Sequence, residues 1–209
     1  MLKLKKGLSL LLILTIVLTG CASAPAPAPT PAPAPAPAQE EKLAELPASQ
    51  KVAGDFTFEN SGINHENLLD FMNREDSVYI DLRNYEDYSK KHFKNFEVIP
   101  FFAYIYNENA GTEGFPQLFK GTPDAAEAVY DSSVSVLNAL FPKDKNLMIM
   151  CQSGGRVAML MKILNANGYD MSKVYNIGGM AQYTGEEFRK FITDTEELNV
   201  EAKYILNVN

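Results

Sequence analysis

Residues 146–156 read Asn-Leu-Met-Ile-Met-Cys-Gln-Ser-Gly-Gly-Arg, and this stretch indicates the architecture more clearly than any other. Residues 146–150 are a short apolar run, which is typical of a buried strand. An apolar helix is predicted directly after the loop, over 157–167, with Gly168 in the position that follows a helix C-terminus. The sequence therefore predicts a strand, a tight glycine-containing loop and a helix, with Cys151 at the carboxyl end of the strand.

The flanking sequence repeats this alternation of strands and helices. Strands are predicted at 56–58, 78–82, 97–100 and 173–177, and helices at 123–141 and after Asn64 and Asn84. Alternating strands and helices predict an α/β fold, in which a parallel sheet carries helices on both faces. Ligands in such folds bind beyond the carboxyl ends of the strands, which is where Cys151 is expected.

The loop after the central strand has the composition of an anion-binding site. Backbone N–H groups converge in a glycine-containing turn, and the helix N-terminus adds a positive partial charge. We expect this field to favour the thiolate of Cys151, which makes the residue a nucleophile. Arg156 adds a permanent positive charge with forked donors. A buried structural cysteine is the alternative, and the two glycines and the arginine favour the reactive cysteine over it.

Composition excludes several classes of protein. The chain has 209 residues, two cysteines, two histidines and a formal net charge of −7. Two cysteines cannot build a disulfide scaffold, and no cluster has the ligand count of a structural zinc site. An acidic chain is also unsuited to sequence-independent nucleic-acid binding, which requires a basic surface. We predict no nucleic-acid partner, no metal and no cofactor.

The N-terminus predicts export and attachment to a membrane. Lys3, Lys5 and Lys6 precede a mostly apolar run at 8–20, so residues 1–20 are interpreted as a signal peptide. A transmembrane helix needs about 20 apolar residues, and this run is shorter. Leu-Thr-Gly-Cys at 18–21 resembles the lipobox of bacterial lipoproteins, in which the cysteine, here Cys21, receives the lipid.

This reading places the protein on the extracytoplasmic face of a bacterial cell membrane, anchored by lipid. Cleavage after Ala24 is the alternative, and it would release a soluble protein. Alanine and proline alternate over 24–38, a composition typical of a semi-rigid spacer. We therefore assign residues 21–50 to a linker, 51–185 to the folded domain and 186–209 to an acidic, solvated C-terminal extension.

The folded part resembles the rhodanese family of single-domain sulfurtransferases. The resemblance rests on three blocks in the right order. They are Asp81-Leu82-Arg83 with Glu86, Tyr88, His92 and Pro100 downstream, the loop Cys151-Gln152-Ser153-Gly154-Gly155-Arg156, and Val174 to Met180 with its glycine pair. The chain departs from the family pattern at Lys91, Val157 and Tyr183.

The resemblance implies a persulfide on Cys151, with the sulfur donor held by the rest of the loop, namely Gln152, Ser153, Gly154, Gly155 and Arg156. It assigns structural roles to Asp81, Arg83 and His92. The implied reaction is thiosulfate sulfurtransferase-like: a small sulfur-containing anion gives sulfane sulfur to a thiol or a cyanide-like acceptor. The loop has the length of the sulfur-transfer enzymes, whereas related phosphatases have one residue more. The alternatives are a non-enzymatic persulfide carrier or sensor, or a protein-binding module that kept the fold.

Residues 101–122 form an insertion relative to the short connection usual in that family. Four of its first six residues are aromatic. The insertion is interpreted as an extra core cluster, or as a segment beside the loop that shapes the mouth of the site.

Overall fold

The computed structural model describes residues 43–193 of the chain. The predictions for residues 1–42, including lipidation of Cys21, and for the part of the acidic extension at 194–209 lie outside this range. The strands and helices in chain order are β1 Ser77–Asp81, α1 Tyr85–Lys90, β2 His92–Phe93, β3 Glu97–Val98, β4 Phe119–Thr122, β5 Ala125–Ala128, α2 Ser133–Leu140, β6 Asn146–Cys151, α3 Gly155–Ala166, β7 Val174–Gly179 and β8 Ile192–Thr193. Short 3₁₀ helices span Leu68–Phe71, Met171–Lys173 and Glu186–Phe188, and a π-helix spans Phe101–Ile105.

The predicted parallel sheet is confirmed. Four strands lie in the order β3-β1-β6-β7, and each neighbouring pair is parallel. In the central pair, Val78 faces Leu147 and Asp81 faces Met150. This register brings the carboxyl ends of β1 and β6 to one edge of the sheet. The segment Asp81-Leu82-Arg83 and the cysteine loop, which follow these ends, are therefore neighbours.

Residues alternate between two apolar layers along each strand. Ile80 and Ile149 point into the layer that also contains Leu137 of α2 and Leu160 of α3. The opposite layer contains residues such as Tyr79, Met148, Phe93 and Phe188. There the sheet is covered by 3₁₀ helices and by the small antiparallel sheet of β2 and β8.

The helix predicted over 123–141 is wrong in its first half. Residues 119–128 form an antiparallel hairpin of β4 and β5 instead, and the helix begins only at Ser133. Gly121 takes a left-handed φ of +85°, and Pro123 and Asp124 make the two-residue turn. Of the alanines in β5, only Ala126 belongs to the apolar spacing that predicted the helix, and its partly buried side chain packs on the core from a strand instead.

Two other predictions near the N-terminus also fail. Residues 56–58 are an extended segment without strand pairing, and the predicted helix after Asn64 is reduced to a turn followed by the 3₁₀ helix at 68–71. Phe56 is nevertheless buried against the core. The aromatic side chains of this segment therefore serve packing, while its backbone adds no strand to the sheet.

Residues at both ends of the described range pack on the domain. Tyr175 donates to the carbonyl of Pro47 at 2.9 Å, and Ser49 donates to the carbonyl of Met171 at 2.7 Å, although 43–50 was assigned to the linker. At the other end, β8 pairs with β2, and Phe188 is buried. No helix within 43–193 is long and apolar enough to cross a bilayer.

Candidate active site

The thiol of Cys151 is enclosed at the end of β6. The residue is 1% exposed, and its Sγ accepts a hydrogen bond from the backbone N–H of Gly154 at 3.1 Å. The carbonyl groups of Cys151 and Gln152 accept from the N–H groups of Met180 and Ala181, at 3.0 and 3.1 Å. These contacts tie the carbonyls to the segment after β7, while the loop N–H at Gly154 turns towards the sulfur.

Gly154 makes the turn that allows this arrangement. Its φ is +91°, in the left-handed region, and it is the N-cap of α3. A Cβ at this position would lie 2.9 Å from Cδ1 of Phe58, so the space above the loop is also closed to a side chain. The first-turn N–H groups of a helix have no intrahelical acceptor, which leaves those of Gly155 and Arg156 available to an anion.

Asn176 of β7 holds the loop from behind. Its Nδ2 donates to the carbonyls of Gly154 at 3.1 Å and Phe56 at 2.8 Å, and its Oδ1 accepts from the N–H of Gly178 at 3.1 Å. Sequence reasoning did not single out this residue. A polar residue inside an apolar strand, two positions before a glycine pair, is the signal that could have found it.

The glycine pair that ends β7 allows the backbone to approach the cysteine loop. A Cβ at Gly179 would overlap the backbone of Gln152. The N–H of Gly179 also donates to Oε1 of Gln182 at 2.8 Å. The resemblance identified this pair by position, and the structure gives two physical reasons: Gly179 packs closely against the backbone of the loop, whereas Gly178 takes a left-handed φ of +84°.

Arg156 lies in the first turn of α3, half-buried, at the open side of the loop. Its guanidinium lies 3.4 Å from the carbonyl oxygen of Leu82 and 5.9 Å from the ring centroid of Phe102. The other loop side chains, of Gln152 and Ser153, are exposed. The arginine therefore brings a fixed positive charge to the edge where an anion would approach.

Asp81 and Arg83 form a buried ion pair beside the loop. Nη2 of Arg83 lies 2.7 Å from Oδ2 of Asp81, and both side chains are almost completely buried. Arg83 also donates to the carbonyl of Lys91 at 2.6 Å, which fixes the end of α1. Burial raises the pKa of the Asp81 carboxyl, while the hydrogen bonds and charge of Arg83 and the charge of Arg156 act in the opposite direction.

His92 lies in β2. Its ring stacks on Tyr88 with 4.0 Å between centroids, and its Nδ1 lies 2.8 Å from the carbonyl oxygen of Tyr88. The structural roles of Asp81, Arg83 and His92 stay predictions, and the structure shows the contacts of each residue: the ion pair of the first two and the stacking of the third on Tyr88. Among residues 43–193, no group of three or more His, Cys, Asp or Glu side chains could hold a metal ion.

The insertion at 101–122 contributes both to the core and to a groove beside the loop. Phe101 and Ile105 of the π-helix are fully buried, whereas Phe102 and Tyr104 are exposed. The exposed pair lines a cavity of about 630 Å³ that reaches Arg156. One side of this short helix therefore belongs to the core, and the other side lines a cavity beside the loop, as the two interpretations of the insertion predicted.

Comparisons with known proteins agree with this geometry. A model of the rhodanese-like domain family matches residues 64–186, a range that contains β1, the cysteine loop and the glycine pair. No curated protein and no solved structure matches the chain significantly. The family is consistent with a sulfurtransferase-type or sulfur-binding function. Because the match spans more than half of the chain, the chain belongs to the rhodanese-like domain family.

Proposed function

We propose that the protein is a sulfurtransferase that carries sulfane sulfur as a persulfide on Cys151. The observation that carries this proposal is the hydrogen bond of 3.1 Å from the N–H of Gly154 to Sγ. It joins the sulfur to a loop whose remaining amides and arginine are suited to an oxyanion. A purely structural cysteine would not require a left-handed glycine and an arginine at the mouth of its loop.

In the first half-reaction, the Cys151 thiolate attacks the outer sulfur of a thiosulfate-like donor. The new S–S bond forms as the sulfur–sulfur bond of the donor breaks, and the electron pair of that bond leaves with sulfite. The products are the Cys151 persulfide anion and sulfite, so no oxidant or reductant is consumed. Arg156 and the N-terminus of α3 stabilise the anionic donor and the departing sulfite.

In the second half-reaction, an acceptor removes the outer sulfur. A thiolate or a cyanide-like nucleophile attacks it, and the Cys151 thiolate is the leaving group. Cys151 is the only cysteine in residues 43–193, so no resolving thiol is present in that part of the chain. We therefore assign discharge of the persulfide to an external acceptor.

The proposed place of this reaction is the extracytoplasmic face of a bacterial membrane. The support is in the sequence: a basic start, a short apolar run, the block ending at Cys21 and the Ala/Pro-rich segment at 24–38. Acylation of Cys21 would attach the chain, and a semi-rigid spacer would keep the domain away from the lipid surface.

Mass spectrometry of the purified protein after thiosulfate treatment tests the chemistry. We expect a gain equal to one sulfur atom, located on the peptide that contains Cys151 and removed by a thiol reductant. The matched control is Cys151→Ser, which should gain nothing. Repeated turnover with a small acceptor supports an enzyme, whereas loading without turnover supports a persulfide carrier. Absence of loading under all donors would overturn both.

A further inference from the structure

A groove beside the cysteine loop has the features of a ligand site. Its lining includes the π-helix, residues 114–117 and Arg156. Its volume of about 630 Å³ falls within the range of roughly 300–1,000 Å³ that is usual for small-molecule pockets. Arg156 ends the cysteine loop and also lines the groove, and it is the residue through which the groove adjoins the loop; residues 151–155 are not part of the lining.

The walls of the groove are aromatic and partly open to solvent. Phe102, Tyr104 and Phe115 are 50%, 41% and 37% exposed. Phe101, from the same π-helix, is fully buried behind them. Aromatic side chains that remain exposed around a concavity are typical of surfaces that bind an apolar partner.

Gln117 gives the groove a polar floor. The residue is 6% exposed, and its Nε2 donates to the carbonyl oxygen of Phe102 at 2.9 Å. Its Oε1 is buried and has no hydrogen-bond partner among residues 43–193. A buried acceptor without a partner is costly, and a ligand N–H or O–H group would relieve that cost.

Charge is distributed unevenly along the groove. Arg156 supplies a positive charge at the loop end, and Glu86 also lines the cavity. A ligand with a single negative charge at one end matches this arrangement, because that charge can lie beside the arginine. A highly charged anion that filled the whole groove would lie against the carboxylate of Glu86 and the aromatic rings.

We infer that this groove binds the sulfur acceptor, and that the acceptor is a small organic thiolate with an aromatic or apolar body and an N–H or O–H donor. The inference rests on the proposed function. The thiolate lies beside Arg156, the apolar body lies against Phe102 and Phe115, and the donor bonds to Oε1 of Gln117. The bound thiolate attacks the outer sulfur of the Cys151 persulfide, and the products are the organic persulfide anion and the Cys151 thiolate.

The groove suits this occupant better than the two obvious others. Thiosulfate is a compact ion that would leave most of the volume empty and make no use of the aromatic walls. A protein thiol would need a flatter contact surface, since specific protein interfaces bury about 800 Å² on each partner. The experiments below distinguish the organic thiolate from thiosulfate and from a protein thiol as the occupant of the groove.

Binding is tested first, with probes that contain no sulfur. Hippurate combines an aromatic ring, an amide N–H and one carboxylate in place of the thiolate. N-methylhippurate keeps the ring and the carboxylate but has N–CH3 in place of the N–H. Dissociation constants are measured by ligand-observed NMR on the full-length protein. We expect hippurate to bind roughly three- to tenfold more tightly than its N-methyl form, which is the range of one net hydrogen bond.

Three variants locate the binding site. Gln117→Met should abolish the difference between the two probes, and Phe115→Ala should weaken both. Tyr130→Ala is the matched control, because Tyr130 is an aromatic residue of similar exposure, 42%, outside the groove. It should change neither constant. Equal binding of the two probes to the wild-type protein, or no binding of either, overturns the inference.

Kinetics then separate this inference from the proposed function. With thiosulfate as donor, N-(2-mercaptoethyl)benzamide should have a higher kcat/KM than 2-mercaptoethanol, and Phe115→Ala should reduce only the former. If 2-mercaptoethanol and a cysteine-containing peptide are the better acceptors, the groove inference fails while sulfur transfer stands. If no acceptor turns over but the probes still bind as expected, the proposed function fails and the groove remains a ligand site.

Discussion

The side-chain amide of Asn176 donates to the backbone carbonyl of Gly154 across 3.1 Å, and this contact joins β7 to the N-cap of α3. The same amide group also bonds to Phe56 and Gly178. One buried side chain therefore connects three backbone segments around the cysteine loop. It places the Gly154 N–H, which in turn points at the sulfur of Cys151.

The first prediction concerns Asn176 as a positioning residue. Asn176→Leu removes the side-chain partners of the Phe56 carbonyl and the Gly178 N–H, whereas the Gly154 carbonyl still accepts from the N–H of Ala158. We expect the free energy of unfolding to fall by about 2–4 kcal/mol. Asn176→Asp keeps the acceptor for Gly178 but loses both donors. In the folded fraction of either variant, kcat/KM with thiosulfate should fall. Asn165→Asp, at an exposed asparagine of α3, is the control, and an equal effect there would contradict the prediction.

The second prediction separates backbone strain from steric overlap at Gly154. Gly168→Ala introduces a side chain at φ +72° with no other atom within 4 Å, and we expect a cost of about 1–2 kcal/mol. Gly154→Ala should cost more, because its Cβ also meets Phe58 at 2.9 Å. Adding Phe58→Ala to Gly154→Ala should recover part of the stability that this variant loses beyond the loss in Gly168→Ala. Equal losses in the two glycine variants, measured by chemical denaturation, would show that Phe58 moves freely.

The third prediction concerns recognition of the donor by Arg156. Removing a charge-assisted contact costs about 1.5–3 kcal/mol, so Arg156→Ala should raise the KM for thiosulfate roughly ten- to hundredfold. Arg156→Lys keeps the charge but not the forked donors, so its KM for thiosulfate should lie between those of the wild-type protein and Arg156→Ala. Arg189→Ala is the control, since that arginine is largely exposed in an ion pair with Glu186. An unchanged KM in Arg156→Ala would remove the arginine from the donor site.

The fourth prediction tests the structural assignment of Asp81 and Arg83. Removal of one partner leaves a buried charge, so Arg83→Met should lower the free energy of unfolding by about 3–5 kcal/mol. The double variant Asp81→Leu/Arg83→Met should be less destabilised than the single one. At the exposed pair of Lys162 and Asp124, Asp124→Asn should change stability by less than about 1 kcal/mol. Loss of sulfur loading in a fully stable Arg83→Met protein would indicate a direct catalytic role instead.

The fifth prediction concerns the proposed lipid anchor. Cys21→Ala removes the thiol that would be acylated, so the protein should move from the membrane fraction to a soluble or unprocessed form. Detergent partitioning and electrophoretic mobility measure the change. Cys151→Ser is the control and should remain in the membrane fraction. Unchanged partitioning of Cys21→Ala would contradict lipidation and favour a different attachment.

The sequence by itself predicted the parallel core and the strand, loop and helix around Cys151. The apolar run at 146–150 predicted a buried strand. The glycines and Arg156 that follow it predicted a turn at the start of a helix. Asn84 also caps α1 as its sequence position indicated, accepting from the N–H of Asp87 at 2.9 Å. The turn and the cap are local features, because left-handed turns and helix capping depend on residues within a few positions of one another.

The tertiary structure decided what depends on distant contacts. Residues 123–132 have helical apolar spacing, yet β5 pairs with β4 because the turn at Pro123 and Asp124 brings these two segments together. Asn176 and Phe58 belong to the site only because β7 and the segment before β1 pack on the cysteine loop. The groove likewise exists because the π-helix turns Phe101 inward and Phe102 outward beside Arg156. A side chain's neighbours across the sheet are set by the packing of the whole domain, and a local pattern carries no information about them.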